Sequence, residues 1–341
     1  MTTPDPADAS SGEAVAAGSI EPKPTSALPS GSVGPGIGDR VFRGLSEGSG
    51  VLMVVLIAAI GVFLFARALP ALARDTENFF TYGGNWNTTN PSAMHFGIFN
   101  LLQVTVFTAL FALILAMPVA LGIAIFLTQY SSRRIVGPLA YMVDLLAAVP
   151  SIIYGVWGLY VLAPRLRPIA TWLNEHLGWL FLFATGNVSV AGGGTIFTGG
   201  IVLAVMILPI ITAVTREVFI KTPQSQIEAA LALGATRWEV VKTTVLPFGR
   251  SGYVSGAMLG LGRALGETVA LLIILRGTQA PFGWSLFDGG KTFATKIAAT
   301  AAEFNNEYKA GAYIAAGLVL FVLTFVVNAT ARAAVSGKES R

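Results

Sequence analysis

Long apolar stretches separated by polar ones dominate the chain, and their length is the first structural signal. A hydrocarbon core of about 30 Å takes about 20 apolar residues in a helix. Six stretches meet that length, at about 51–72, 98–127, 138–162, 196–214, 252–275 and 310–331. The second contains no charged residue. It is long enough to cross with tilt, and Pro118 is placed to kink it. The third holds Asp144 and has Pro150 midway; the fifth holds Arg263 and Glu267. Buried core helices of a soluble protein are the alternative, but six of them would need far more charge between them. The pattern therefore predicts an all-α membrane protein with six transmembrane helices.

The remaining stretches are polar. Residues 1–39 carry six prolines and five acids (Asp5, Asp8, Glu13, Glu21, Asp39) against one base, Lys23. Such a stretch buries too little apolar area to offset its ordering entropy. It reads as a disordered tail with no signal-peptide core, so no cleavage is expected. With the basic, Gly/Ser-rich lead-in at 41–50 it makes a terminal region 1–45. The membrane domain then spans 46–335, and 336–341 is a short C-terminal end. Two long connections, 74–97 and 164–195, are predicted on the outside. The second carries Trp172, Trp179 and Phe181, which suit a membrane interface.

Composition sharpens this. Only 12% of the 341 residues are charged, against about 25% in a soluble domain. Apolar residues make up 54%, and mean hydropathy is +0.68. A soluble enzyme and a nucleic-acid binder are excluded despite a pI near 9.4. The absence of cysteine removes disulfides, thiolate metal sites and cysteine nucleophiles. The net charge of +4 is explained by sidedness. With the N-terminus in the cytoplasm, 13 of the 22 Lys and Arg fall inside and 8 outside, with Arg263 within a span. A multi-pass protein of the plasma (cytoplasmic) membrane follows, with both termini cytoplasmic.

The most informative connection is the inner loop 221–250, between the fourth and fifth spans. Pro223 suits a helix start, and 224–233 is rich in helix formers. Gly234 lets the chain turn. A second short helix is expected over 236–244, stopping before Pro247. On physical grounds alone this is either an amphipathic linker or a small, smooth face offered to a partner.

The loop also carries a resemblance. Glu228-Ala229-Ala230, then Gly234, then Leu246-Pro247 is similar to the EAA motif of permease subunits in binding-protein-dependent ABC importers. The resemblance implies the type I importer permease fold (MetI-like) and a loop whose Glu228, Ala229, Ala230, Gly234, Ala235 and Arg237 dock on a cytoplasmic ATPase. The segments 145–158 (Leu-Leu-Ala-Ala-Val-Pro-Ser-Ile-Ile-Tyr-Gly-Val-Trp-Gly) and 260–268 (Gly-Leu-Gly-Arg-Ala-Leu-Gly-Glu-Thr) resemble phosphate importer permeases, closer to the PstC type than to the PstA type. About 45–335 is covered. The tail lies outside the resemblance, and Asp144 stands where glutamate is more common.

The resemblance implies partners and cofactors. The partners are a PstA-like second permease, two PstB-like ATPase subunits and a PstS-like phosphate-binding protein, besides the lipid bilayer. ATP and Mg would be bound by the partner subunits and no cofactor by this chain, which would hydrolyse nothing itself.

The charges within the spans are the candidate substrate path. Arg263 lies 13 positions from both Arg250 and Arg276, so in a helix it stands roughly 20 Å from either flank. A mid-membrane charge costs about 2.5–3.5 kcal/mol and faces the bundle interior or a wet path. Glu267, four residues on, is expected on the same helix face, where it orients and partly neutralises the arginine. In one reading the pair only neutralises itself. In the other, which the resemblance favours, the guanidinium offers phosphate paired donors. Asp144 either pairs with a base on a neighbouring helix or reaches the interface. Pro150-Ser151 is expected to open the third helix and free backbone groups toward the path. Another oxyanion or polar solute, or a stand-alone secondary transporter, are the competing readings of function.

Two decoys are set aside. Ser285-Leu-Phe-Asp-Gly-Gly-Lys-Thr292 approaches a phosphate-cradling P-loop, but Ser285 replaces the required glycine, no strand precedes it and it falls outside. His95 and His176 are isolated and make no metal spacing.

Overall fold

The computed structural model describes residues 37–90, 93–278, 280–304 and 306–339. The tail read over 1–39 lies outside the described residues except for 37–39, which are helical rather than disordered. The chain divides into two units, 1–56 and 57–341. The described part of the first, 37–56, is helical and exposed. It opens helix α1 (Ile37–Leu72), so the helix begins ahead of the predicted span and takes in the lead-in at 41–50. Apolar side chains on every side of α1, from Val51 to Phe65, are exposed. A helix apolar all round is stable against lipid rather than water.

The second unit is built around α6 (Ile196–Ile220), which lies between α2 (Phe99–Ile125) and α9 (Leu246–Gly266). Lipid tails are as apolar as leucine, so burial alone does not hold such helices together; close approach through small residues does. The sequence supplies those residues. A Cβ on Gly200 of α6 would stand 2.3 Å from the Phe111 ring of α2. On α9, Gly249, Gly252, Gly256 and Gly260 form one seam against α6. Cβ atoms there would meet Phe219 at 2.2 Å, Val218 at 2.3 Å, Val214 at 3.2 Å and Ile211 at 2.9 Å. Leu203, Ile207, Ile211, Ala257, Leu261 and Ala264 fill the core between them.

Two of the predicted spans are broken. The third is α3 (Arg133–Ala148) followed by α4 (Ser151–Trp157), a π-helical turn at 158–162 and α5 (Ala163–Leu177). Pro150 forces Val149 into an extended conformation, and the axes on either side differ by 90°. The fifth is α9 and then α10 (Val269–Ile274), with Glu267 extended between them. Single helices long and apolar enough to cross a membrane number four among the described residues: Gly38–Leu72, Phe99–Tyr130, Val190–Ile220 and Glu307–Thr330. The bent pair makes a fifth if counted as one span. The predicted fifth crossing, 252–275, is thus not a continuous apolar helix: its glycines and Arg263 lower its hydropathy, and it breaks at Glu267.

The short helices α7 (Gln224–Ala232) and α8 (Arg237–Val240) follow the last residue of α6. The opposite end of α6, about 37 Å away by helix rise, meets the loops around 182–194 and 276–290. Ile196 and Phe197 donate to the carbonyls of Asp288 and Leu286, and Arg276 N–H donates to Gly194 at 2.9 Å. The remaining helices are α11 (Phe293–Thr300) and α12 (Glu307–Glu339). All loops predicted on the outside therefore collect at one end and the 221–250 loop at the other.

Candidate translocation path and coupling site

Arg263 sits on α9 one turn beyond Gly260, which packs against Ile207 and Ile211. Ile207 is midway along α6, so the arginine stands at half height in the bundle. It is half-buried. Among the described residues no carboxylate lies within 4.0 Å of its guanidinium.

Glu267 is 8% exposed and does not share a helix face with Arg263. The helix ends at Gly266, Glu267 is extended (φ −66°, ψ 126°), and its Oε1 accepts the Ala270 N–H at 3.2 Å. It caps the start of α10. The expected i,i+4 neighbour that orients the arginine is corrected on this point. The break removes the helical register on which that pairing depends.

The second break lies next to the first. α4 packs on α10, where a Cβ on Gly155 would stand 3.0 Å from the Ala270 Cα. Ser151 opens α4 and is half-buried. The third helix does open at Pro150-Ser151, and the carbonyl freed at Leu146 is taken up by a side chain of the same segment. The Tyr154 hydroxyl reaches back across the break and donates to the Leu146 carbonyl at 2.8 Å. Ser151 and Tyr154 are thus carried by α4, which packs on α10, the helix that follows the one bearing Arg263. Asp144 is not brought to them: it is exposed on α3, with no ion pair among the described residues. Tyr154 is the residue sequence reasoning passed over. Its signal was the proline four residues earlier, which leaves carbonyls in need of a donor.

The loop at the other end is a helix–turn–helix. α7 starts after Pro223, and Gly234 adopts φ +85°, the left-handed conformation that ends a helix without strain only for glycine. Thr236 caps α8 through a reciprocal capping box with Glu239. The second helix does not stop before Pro247, as the sequence suggested. It passes through a π-helical turn at 241–245 into α9, where Pro247 occupies the first turn and needs no N–H partner. Glu228, Ala229 and Arg237 are exposed, Ala230 and Ala235 half-exposed. Three large apolar side chains join them at the surface: Leu231 (47% exposed), Leu233 (90%) and Trp238 (49%).

The P-loop look-alike is held by its own aspartate. The Asp288 carboxylate fills its centre, accepting from the N–H groups of Asn187 (2.9 Å), Gly283 (2.8 Å) and Ser285 (3.0 Å). His95 bonds Thr76 and His176 the Trp172 carbonyl. Among the described residues no three His, Cys, Asp or Glu side chains converge.

Residues 119–337 match the family model described as "Binding-protein-dependent transport system inner membrane component". The phosphate transport system permease protein PstC 2 of Mycobacterium tuberculosis (strain ATCC 25618 / H37Rv) is 60% identical over 301 residues, 88% of this chain and 93% of that protein. PstC of Mycobacterium leprae (strain TN) is 60% identical over 300 residues, 88% and 94% respectively. PstC of Xylella fastidiosa (strain Temecula1 / ATCC 700964) is 41% identical over 283 residues, 83% and 85%. Among solved structures, a chain of the inward-facing MetNI methionine ABC transporter (CY5 native crystal form) matches with a TM-score of 0.50 at 16% identity. The match covers 70% of this chain and 96% of that one. At that identity the likeness speaks for the MetI-like fold only.

Proposed function

The chain belongs to the family of inner membrane components of binding-protein-dependent transport systems, and from that premise we propose that it is the permease subunit of an ATP-driven importer of inorganic phosphate. The observation that carries the substrate is Arg263: a guanidinium at half height of the bundle, without a carboxylate partner among the described residues, on the helix that leads into α10. It offers planar paired donors at any pH. The names of its relatives, phosphate transport permeases, support the same substrate.

Mechanistically the chain does no covalent chemistry. A PstA-like permease would close the path with it, and a PstS-like binding protein would deliver phosphate at the end away from the 221–250 loop. Two PstB-like ATPases, carrying ATP and Mg, would sit on the cytoplasmic side. The exposed Leu231, Leu233 and Trp238 beside Glu228 give the loop an apolar face for such a partner. Closure of the ATPases would move the loop and switch access, work drawn from the different affinities of the partner states. Both termini are then cytoplasmic. Family membership weighs against a stand-alone secondary transporter.

The test is uptake of labelled phosphate into proteoliposomes holding the full complex. Arg263→Ala should abolish uptake while the complex still assembles, and Arg263→Lys should retain part of it. Normal phosphate uptake by Arg263→Ala would overturn the substrate path; uptake of another oxyanion in preference to phosphate would overturn the substrate.

A further inference from the structure

At the end opposite the 221–250 loop, the structure holds a cavity of about 260 Å³ whose lining does not include Arg263. It is smaller than the roughly 300–1,000 Å³ of pockets for drug-sized ligands, so it suits a small solvated ion. Its walls are the loops at 83–86 and 277–291 and the first turns of α2 and α11. Glycines make the backbone approach close: Gly289 and Gly290 leave no room for a Cβ, which would meet the Arg276 carbonyl at 2.4 Å and Val104 at 2.7 Å. The Gly-Gly-Lys of the P-loop look-alike thus forms part of this wall, while Asp288 rigidifies the loop from behind.

Two lysines are among the residues that line the cavity, Lys291 and Lys296. Neither has an ion pair among the described residues. Lys296 is held over the Trp86 ring, 4.9 Å from its centroid, and 6.0 Å from that of Tyr313. Glu303, the nearest carboxylate that acts on it, is engaged by Lys309 at 3.0 Å. Asn85, Asn100 and Thr278 add polar groups. Two like charges brought together in a partly dry cavity repel each other, and a shared anion removes that repulsion.

We propose that this cavity is an anion-binding site for a small oxyanion, phosphate in the reading above, which it holds between Lys291 and Lys296 before it reaches Arg263. The inference takes its ligand and its outward placement from the proposed function. The two stand or fall separately in the following experiment.

Lysine acylation of the assembled wild-type complex is followed by mass spectrometry, with inorganic phosphate or with chloride at the same ionic strength. Phosphate should protect Lys291 and Lys296 together, and chloride should not. The same protection is expected in Arg263→Ala, whose uptake is lost. Lys296→Gln should weaken protection of Lys291 about tenfold in phosphate concentration, as loss of one charge-assisted contact does, and Lys296→Arg should restore it. Equal labelling in phosphate and chloride, or protection that appears only with the binding protein present, overturns the site. Normal uptake by Arg263→Ala with protection intact overturns the path and leaves the outer site standing.

Discussion

At the scale of the residue, charge and its surroundings set the expectations. Glu267 is buried as a cap, not as a counter-ion to Arg263. Glu267→Gln keeps the acceptor oxygen, so the complex should assemble with near-normal thermal stability. Glu267→Ala leaves the α10 N–H unpaired and should cost about 0.5–2 kcal/mol, read from thermal unfolding in detergent. Lys296 titrates at about 8, held down by burial first and by Lys291 second, with Glu303 opposing. Its folded value lies below the ordinary lysine value of 10.5, so the ammonium is present below about pH 8 and lost above it. The phosphate concentration that half-protects Lys291 should therefore rise several-fold between pH 7 and pH 9; a flat profile would show that Lys296 contributes no charge there. Both behaviours were hidden in the sequence. The capping role of Glu267 depends on a break that no proline announces. Nothing in the sequence shows that Lys296 lies over Trp86, 210 residues earlier.

At the scale of the element, breaks and seams matter most. The apolar runs were legible because lipid imposes length and composition together, and 98–127 and 196–214 fall where α2 and α6 lie. The angle at Pro150 was not legible: the proline marks the break, but 90° is set by what α4 meets, and Gly155 lets it press on Ala270. Pro247 misled because a proline can open a helix as well as end one. The start expected at 236 is where the capping box Thr236-x-x-Glu239 opens α8. The glycine seam of α9 is directly testable. Gly252→Leu would drive a side chain into Val218, whose Cγ2 stands 2.3 Å from a mere Cβ. Overpacking of that kind costs about 1–3 kcal/mol, and a lowered unfolding temperature of the purified complex measures it. Gly234→Val should instead leave the bundle stable, since a Cβ there meets nothing within 4 Å, but strain the left-handed turn. The expected signature is weaker co-purification of the ATPase without loss of the membrane subunits.

At the scale of the molecule, the two ends differ in chemistry. One presents Leu231, Leu233 and Trp238 on a short helical tip; the other gathers glycine-rich loops, two lysines and the Asp288-centred turn. Leu233→Asp at the tip should abolish ATP-dependent phosphate uptake while leaving phosphate protection of Lys291 unchanged. A loss of both would mean that the tip also shapes the far end. Family and fold were readable from the 228–247 segment alone. The pairing of α4 with α10 was not, because it joins residues more than 100 positions apart.

The glycine seam has a mechanical consequence. α6 and α9 are the two arms of a hairpin, and the 221–250 loop is its bend. Backbones zipped at Gly249, Gly252, Gly256 and Gly260 leave little compliance between the arms. On the proposed mechanism, a push on the bend would travel up the hairpin as on a stiff rod toward Arg263. The arginine would then be carried by the piston, not mounted on the cylinder wall.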